Sequence, residues 1–170
     1  KTMLEDSDYK IRVEGLKKIC SGNNTCTKNN TDNTDTKRNK KHCNGKETIW
    51  NYPEVIVNSM EGNIAEKYWL ANAFAAAKNP DALPYLEKLS ADRSVNVQCA
   101  AVEAIGNIIT TQYNANNTHS MKNPISTISQ NTNHTDTIKM IGLLQNKIID
   151  SSEWYVQKSA YNALRKIRKI

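Results

Sequence analysis

Three cysteines and one histidine in the first third of the chain are the residues whose types and spacing could do chemistry. Cys20, Cys26 and Cys43 lie near one another, and His42 precedes the last of them. Three thiolates and an imidazole could bind zinc tetrahedrally, but the spacing matches no recognised knuckle and His42 and Cys43 would chelate awkwardly. A disulfide between Cys26 and Cys43 is favoured, and it would stabilise the fold by about 3 kcal/mol in the chain-entropy model. Unpaired thiols are the remaining alternative, and no metal site is predicted.

Four Asn-X-Thr sequons offer a second kind of chemistry, the attachment of glycans. They begin at Asn23, Asn29, Asn116 and Asn133. All four lie in polar stretches that we predict to be loops. The alternative is that loops rich in Asn and Thr contain such triplets by chance. The compartment stays open between cytoplasm and secretion, with the loop cysteines and the sequons leaning towards secretion.

Residues suited to catalysis are not grouped in the sequence. The three histidines, His42, His119 and His134, all lie in the polar stretches, where they would lack the preorganisation that catalysis needs. No Ser/His/Asp set, glycine-rich phosphate loop or paired acidic motif is present. We therefore predict no catalytic residue and no cofactor.

A repeat organises the rest of the chain, and it consists of four segments of 17 residues that align without gaps. They are Asp6–Gly22, Glu61–Ala77, Asp92–Ile108 and Ser151–Ile167. Their tenth positions are small or apolar: Gly15, Leu70, Ala101 and Ala160. The fourteenth positions are Ile19, Phe74, Ile105 and Leu164, and the fourth are Tyr9, Ile64, Val95 and Trp154. The agreement of these columns predicts an apolar face on each helix, and Trp154 is expected to lie in the core. Such periodicity is typical of a solenoid whose helical units bury their apolar faces against neighbouring units.

Each unit is predicted to be a shorter helix A, a tight turn and a longer helix B. The helices are expected at Asp8–Ile19, Pro53–Met60, Asn63–Lys78, Asp81–Ser90, Ser94–Ile109, Asp136–Ile149 and Ser152–Ile167. Two Asn- and Thr-rich insertions interrupt the array and are expected to be loops. The single domain therefore reads as a partial repeat 1–20, insertion 21–46, repeat 47–78, repeat 79–109, insertion 110–134 and repeat 135–170. The opening half-unit would leave Tyr9, Ile11 and Leu16 uncovered, so we expect a longer array.

The B-helix pattern resembles HEAT-like repeats of the phycobilisome-lyase type, whose helix reads D-x(4)-V-R-x-x-A-x-x-A-L. The third repeat fits with Gln in the place of Arg, through Asp92, Val97, Gln98, Ala101, Ala104 and Ile105. The resemblance implies an all-α fold, a short right-handed α–α solenoid of the HEAT/armadillo kind with two long inter-repeat insertions. It also implies that the Arg column ties neighbouring repeats through the Asp column. That ladder should be weaker here, because the column reads Arg12, Lys67, Gln98 and Gln157.

The resemblance also implies that the B helices line the concave side of the array. The candidates for partner binding on that face are Tyr68, Trp69, Asn72, Glu103, Tyr155 and Lys158. Projecting aromatic side chains supply large contact area at low entropic cost. The alternative for Tyr68 and Trp69 is packing between repeats, with Trp69 over Ala100 or Tyr68 over Cys99.

Charge narrows the choice of partner. The formal net charge is +6, but the basic residues gather in the first insertion and at the C-terminus, which is ordinary for solvated segments. Nucleic acid is therefore disfavoured, and no apolar run of about 18 residues could span a membrane. The favoured function is a non-catalytic scaffold that binds another protein, of unknown identity. The alternatives are a lyase-like or metal-dependent enzyme-associated HEAT module and a nucleic-acid-binding HEAT scaffold.

Overall fold

The computed structural model describes residues 3–21, 48–119 and 131–168. Within these ranges there are seven α-helices and no β-strand, so the all-α prediction is confirmed. The helices are α1 (Tyr9–Ser21), α2 (Pro53–Met60), α3 (Ile64–Ala77), α4 (Leu83–Leu89), α5 (Val95–His119), α6 (Asn131–Asp150) and α7 (Trp154–Arg168). Short 3-10 turns precede α1, α2 and α4. The first insertion lies outside the described residues except for Ser21, which ends α1.

The prediction of a loop over residues 110–134 is wrong at both ends. Helix α5 runs on to His119, well past the expected end at Ile109, and α6 begins at Asn131. The hydroxyl of Thr110 donates to the carbonyl of Gly106 at 2.8 Å, and Thr111 does the same one residue further on. These side chains satisfy their hydrogen bonds inside the helix, where we expected them to favour a loop. Residues 120–130 lie outside the described part of the chain.

The B helices α1, α3, α5 and α7 pack side by side in chain order, and we call them the B-helix layer. Helices α2, α4 and α6 each pack on the B helix that follows them. The tenth repeat position is buried in all four repeats, as predicted. The fully buried side chains between the layers include Leu16, Leu70, Phe74, Leu86, Val97, Ile105 and Leu144. The core therefore lies on the face of the B helices that carries the tenth and fourteenth positions.

The fourth position of the repeat does not belong to this core, which corrects the sequence analysis. Trp154 is 54% exposed, and Tyr9 and Ile64 are also exposed. Each of them is the first residue of its helix, so no preceding turn lies beside it to cover the ring or side chain. An apolar column at the edge of a layer can therefore remain open to solvent.

The N-terminal end is partly covered, against expectation. Tyr9 and Ile11 are exposed as predicted, but Leu16 is fully buried. Leu16 occupies the eleventh repeat position, which is also buried in α3 and α5. Tyr161, at the same position of α7, is 58% exposed, and no described helix follows α7. The eleventh position therefore faces the next repeat, and α3 covers Leu16.

The seventh repeat position stabilises the turn before the B helix in three of the four repeats. The side-chain nitrogens of Arg12, Gln98 and Gln157 each donate to the backbone carbonyl at the first position of their own repeat. The N–O distances are 2.7, 2.6 and 2.7 Å, to Asp6, Asp92 and Ser151. Glutamine therefore replaces arginine in this bond without loss of the donor.

The charged ladder between repeats is present in the first half of the array. Arg12 Nε lies 2.7 Å from Glu66 Oε1, and Lys67 Nζ lies 3.0 Å from Asp92 Oδ2. Burial alone would raise the pKa of Asp92, but the Ser94 N–H and the Lys67 ammonium outweigh it and lower that pKa below 3.8. The third and fourth repeats are joined instead by an ion pair between their A helices, with Lys139 Nζ 2.7 Å from Glu87 Oε2. Their B helices are joined by uncharged or singly charged contacts, from Ser159 to Glu103 and from Lys166 to Asn107. The expectation of a weaker ladder applies to this second half.

Glu66 is the residue that departs most from the repeat pattern, and its position explains why. It is 2% exposed, although it stands where other repeats carry valine or isoleucine. Its carboxylate accepts the N–H of Asn63 at 3.1 Å, while Asn63 Oδ1 accepts the N–H of Glu66, which forms a capping box at the start of α3. The remaining oxygen accepts Arg12. The buried charge is therefore satisfied from two sides.

A pair of glycines tests the packing of α5 on α7. A Cβ atom added at Gly106 would lie 2.6 Å from Ala163 Cβ, whereas one added at Gly142 in α6 would meet nothing within 4 Å. Gly142→Ala should stabilise by about 0.5–1 kcal/mol, because alanine is the better helix former. Gly106→Ala should destabilise by about 1–3 kcal/mol through overpacking. Urea unfolding of both variants measures the difference, and equal stabilisation would show that α5 and α7 do not meet there.

The ion pair between Arg12 and Glu66 gives a second prediction. Arg12→Gln should keep the bond to the turn carbonyl but leave the buried carboxylate without its cation, at a cost of about 2–3 kcal/mol. Adding Glu66→Val, the residue found at Val97 and Val156, should recover part of that loss because the buried charge is removed. Chemical denaturation of the two single variants and the double variant completes the cycle. Strictly additive losses would contradict a direct interaction.

Candidate functional site

One concavity among the described residues gathers side chains from three repeats. It runs along the B-helix layer, and we call it the B-helix groove. It has a volume of about 440 Å³ and is bounded by α3, α5 and α7. Residues at the fourth, fifth, eighth, ninth and twelfth repeat positions line it, and they come from the second, third and fourth repeats. The groove therefore follows directly from the repeat register.

Five of the six predicted binding residues line this groove. They are Tyr68, Asn72, Glu103, Tyr155 and Lys158. They come from three repeats and are separated by up to 90 residues in the sequence. The side-by-side packing of α3, α5 and α7 brings them together.

Trp69, the sixth candidate, does not line the groove. Its ring packs edge-on against Tyr68 with centroids 5.4 Å apart, and Lys17 Nζ lies 5.4 Å from its centroid. The Cys20 thiol donates to its carbonyl at 3.7 Å. Trp69 therefore contacts α1, which fits the alternative of packing between repeats, although its neighbours there are Lys17 and Cys20 and not Ala100.

Tyr155 and Lys158 of α7 belong to one wall of the groove, and Trp154 packs beside them without lining it. The rings of Trp154 and Tyr155 have centroids 4.0 Å apart, and Lys158 Nζ lies 5.2 Å from the Trp154 ring. Both rings are more than half exposed. The cation–π contact holds the Lys158 ammonium beside the groove. Sequence reasoning missed the role of Trp154, although its spacing of four residues from Lys158 on a helix was an available signal.

The floor comes from α5, which lies between α3 and α7, and Tyr68 and Asn72 of α3 form the opposite wall. Glu103 on α5 accepts the Ser159 hydroxyl of α7 at 3.0 Å, which joins the floor to the first wall. The thiol of Cys99 lies on the floor, and its pKa is raised by burial and by the charge of Glu103, while the Ser159 hydroxyl lowers it. A raised pKa makes a thiol less reactive as a nucleophile. Burial likewise raises the pKa of Cys20 to about 11.

A smaller basic groove continues from the first one. Its volume is about 360 Å³, and it shares Glu103 and Asn162 with the B-helix groove. Arg165 and Lys166 line its far side. Lys166 Nζ donates to Asn107 Oδ1 at 3.1 Å. The two concavities together make one continuous polar surface along α5 and α7.

The other predicted sites fall mostly outside the described residues. Cys26, His42 and Cys43, with the sequons at Asn23 and Asn29, are not described. The backbones of Asn116 and Asn133 lie in α5 and α6, so these two sequons are in helices and not in loops as expected. Within the described ranges no three His, Cys, Asp or Glu residues are grouped to bind a metal ion. In the same ranges no helix is both long and apolar enough to cross a membrane.

Comparison with known proteins identifies the repeat. Residues 82–112, which comprise α4, the turn and the part of α5 up to Gln112, match the HEAT repeat family. The chain is a HEAT-like repeat protein. The match is to HEAT repeats in general and does not distinguish the phycobilisome-lyase type. No curated protein and no solved structure matches the chain. HEAT repeats generally act as scaffolds for protein–protein interaction.

Proposed function

We propose that this HEAT-like protein is a non-catalytic scaffold that binds another protein in the B-helix groove, and that its repeats form a short right-handed solenoid. The observation that carries the proposal is the convergence of five polar and aromatic side chains from three repeats on one groove. HEAT repeats in general support protein partners. The finer assignment of this face is our inference.

The composition of the groove favours a protein partner. Exposed tyrosine and tryptophan are enriched among the residues that contribute most binding energy at protein interfaces. Tyr155 is 57% exposed, and its ring packs against Trp154, whose centroid lies 5.2 Å from Lys158 Nζ. The amides of Asn72, Asn96 and Asn162 add groups that can both donate and accept. This mixture of a few aromatic anchors and a polar surround is typical of interface surfaces.

Catalysis has less support from the same surface. The partly buried Cys99 thiol has a raised pKa, and its neighbour Glu103 accepts the Ser159 hydroxyl. Neither group is arranged to activate the other as a nucleophile, since the carboxylate charge raises the thiol pKa. No observation in the B-helix groove therefore supports the alternative of an enzyme-associated module.

Two tyrosines on α7 provide a matched test. Tyr155 lines the groove and Tyr161 lies outside it, with nearly equal exposures of 57% and 58%. Immobilised wild-type protein, Tyr155→Ala and Tyr161→Ala are exposed to extract from the source cells, and retained proteins are quantified by mass spectrometry. Partners should be lost from Tyr155→Ala, whose affinity should fall about tenfold or more, and kept by Tyr161→Ala. Equal retention by both variants would show that the partner binds elsewhere.

A further inference from the structure

The charge along the continuous groove is unbalanced. Three cations, Lys158, Arg165 and Lys166, line the two concavities, and Glu103 is the one carboxylate among their lining residues. Glu103 also accepts the Ser159 hydroxyl, so part of its acceptor capacity is used within the protein. A ligand bound along this groove lies in excess positive charge. That charge raises the association rate of acidic partners and fixes their alignment in the groove.

The ammonium group of Lys158, which lines the B-helix groove, is held in position before any ligand binds. Lys158 Nζ stays 5.2 Å from the Trp154 centroid, so its long side chain has fewer rotamers to lose on binding. Arg165 follows Lys158 by two helical turns on α7. A segment with acidic side chains at separated positions could therefore contact both.

The asparagines of the groove indicate the conformation of such a segment. Asn72 and Asn162 occupy the twelfth repeat position in α3 and α7, and Asn96 lies between them on α5. Asn96 and Asn162 are exposed and make no side-chain hydrogen bond to another described residue. An amide pairs with a peptide group because each has one N–H side and one carbonyl side. An extended peptide has free backbone groups to offer, whereas a helical ligand has used its own.

We propose, on the basis of the protein-binding role above, that the B-helix groove binds an extended peptide segment that carries acidic side chains. Carboxylates of the segment pair with Lys158 and Arg165, its backbone pairs with the amides of Asn96 and Asn162, and an apolar side chain packs on Tyr155. A nucleic-acid backbone is a poorer fit, since its closely spaced phosphates would have to pass Glu103 in the part that both concavities share.

The test selects ligands without knowledge of the natural partner. Random peptides displayed on phage are selected on the intact wild-type protein, and the winners are synthesised with a fluorescent label. Their affinities are then measured by anisotropy for wild type, Lys158→Glu and Tyr155→Ala. Lys88→Glu is the charge-matched control, because Lys88 is exposed on α4 and does not line the groove. All four proteins should share one thermal unfolding transition, since the substituted side chains are not buried.

The expected result is an enrichment of Asp and Glu among the selected peptides. Their affinity should fall about tenfold or more in Lys158→Glu and stay at the wild-type value in Lys88→Glu. Methylation of single backbone nitrogens in a selected peptide should weaken binding at particular positions, because those N–H groups donate to the asparagine side chains. If no methylated position weakens binding, the extended, amide-paired conformation is wrong.

Other outcomes overturn the inference in distinguishable ways. Neutral or basic peptides that lose binding in Tyr155→Ala would leave the groove as a protein-binding site but refute an acidic ligand. Peptides that bind all variants equally, or no enrichment at all, would refute the proposed function as well. A labelled single-stranded oligonucleotide that binds more tightly than the peptides, and is lost in Lys158→Glu, would replace a protein partner by nucleic acid.

Discussion

The close approach of neighbouring B helices is the constraint on which the rest of the structure depends. Small side chains at the contact allow it, and Gly106 on α5 lies so near Ala163 on α7 that no Cβ fits between them. Helix axes in such packing are separated by a distance that the contacting side chains set. Because α3, α5 and α7 lie this close, side chains from three repeats reach a common groove. The function that we propose is therefore a consequence of packing at alanine and glycine.

Hydrogen bonds and ion pairs stabilise the B-helix layer but do not determine its geometry. The side chain at the seventh position holds the A–B turn in three repeats, and Arg and Gln are interchangeable there because both reach the carbonyl. Charged contacts between repeats occur only where a carboxylate faces the cation, as Glu66 faces Arg12. The second half of the array lacks such a pair at these positions and has Ser159 against Glu103 instead. The B-helix groove and its continuation lie at this junction, and Lys158 and Arg165 line them without an ion pair to another described residue.

The sequence predicted what the repeat register controls. The buried tenth column, the order of helices and five of six groove residues all follow from one alignment, since equivalent positions take equivalent environments. The predictions were wrong where the environment of equivalent positions changes along a helix. Trp154 shares a column with apolar residues but begins its helix, so it is exposed. The polar stretch after Ile109 favoured a loop by composition, yet Thr110 bonds to the preceding turn and α5 continues. Conformation there depends on local hydrogen bonds that composition does not reveal.

The contact between α5 and α7 is the most direct point at which to test this account. In a nuclear Overhauser spectrum of the intact, isotopically labelled protein, the α protons of Gly106 should show strong cross-peaks to the Ala163 methyl group. Ala163 should show none to the α protons of Gly142, which has open space around it. Absence of the Gly106 cross-peaks in the folded protein would mean that α5 and α7 do not pack in this register. The B-helix groove, and the binding role assigned to it, would then not exist as described.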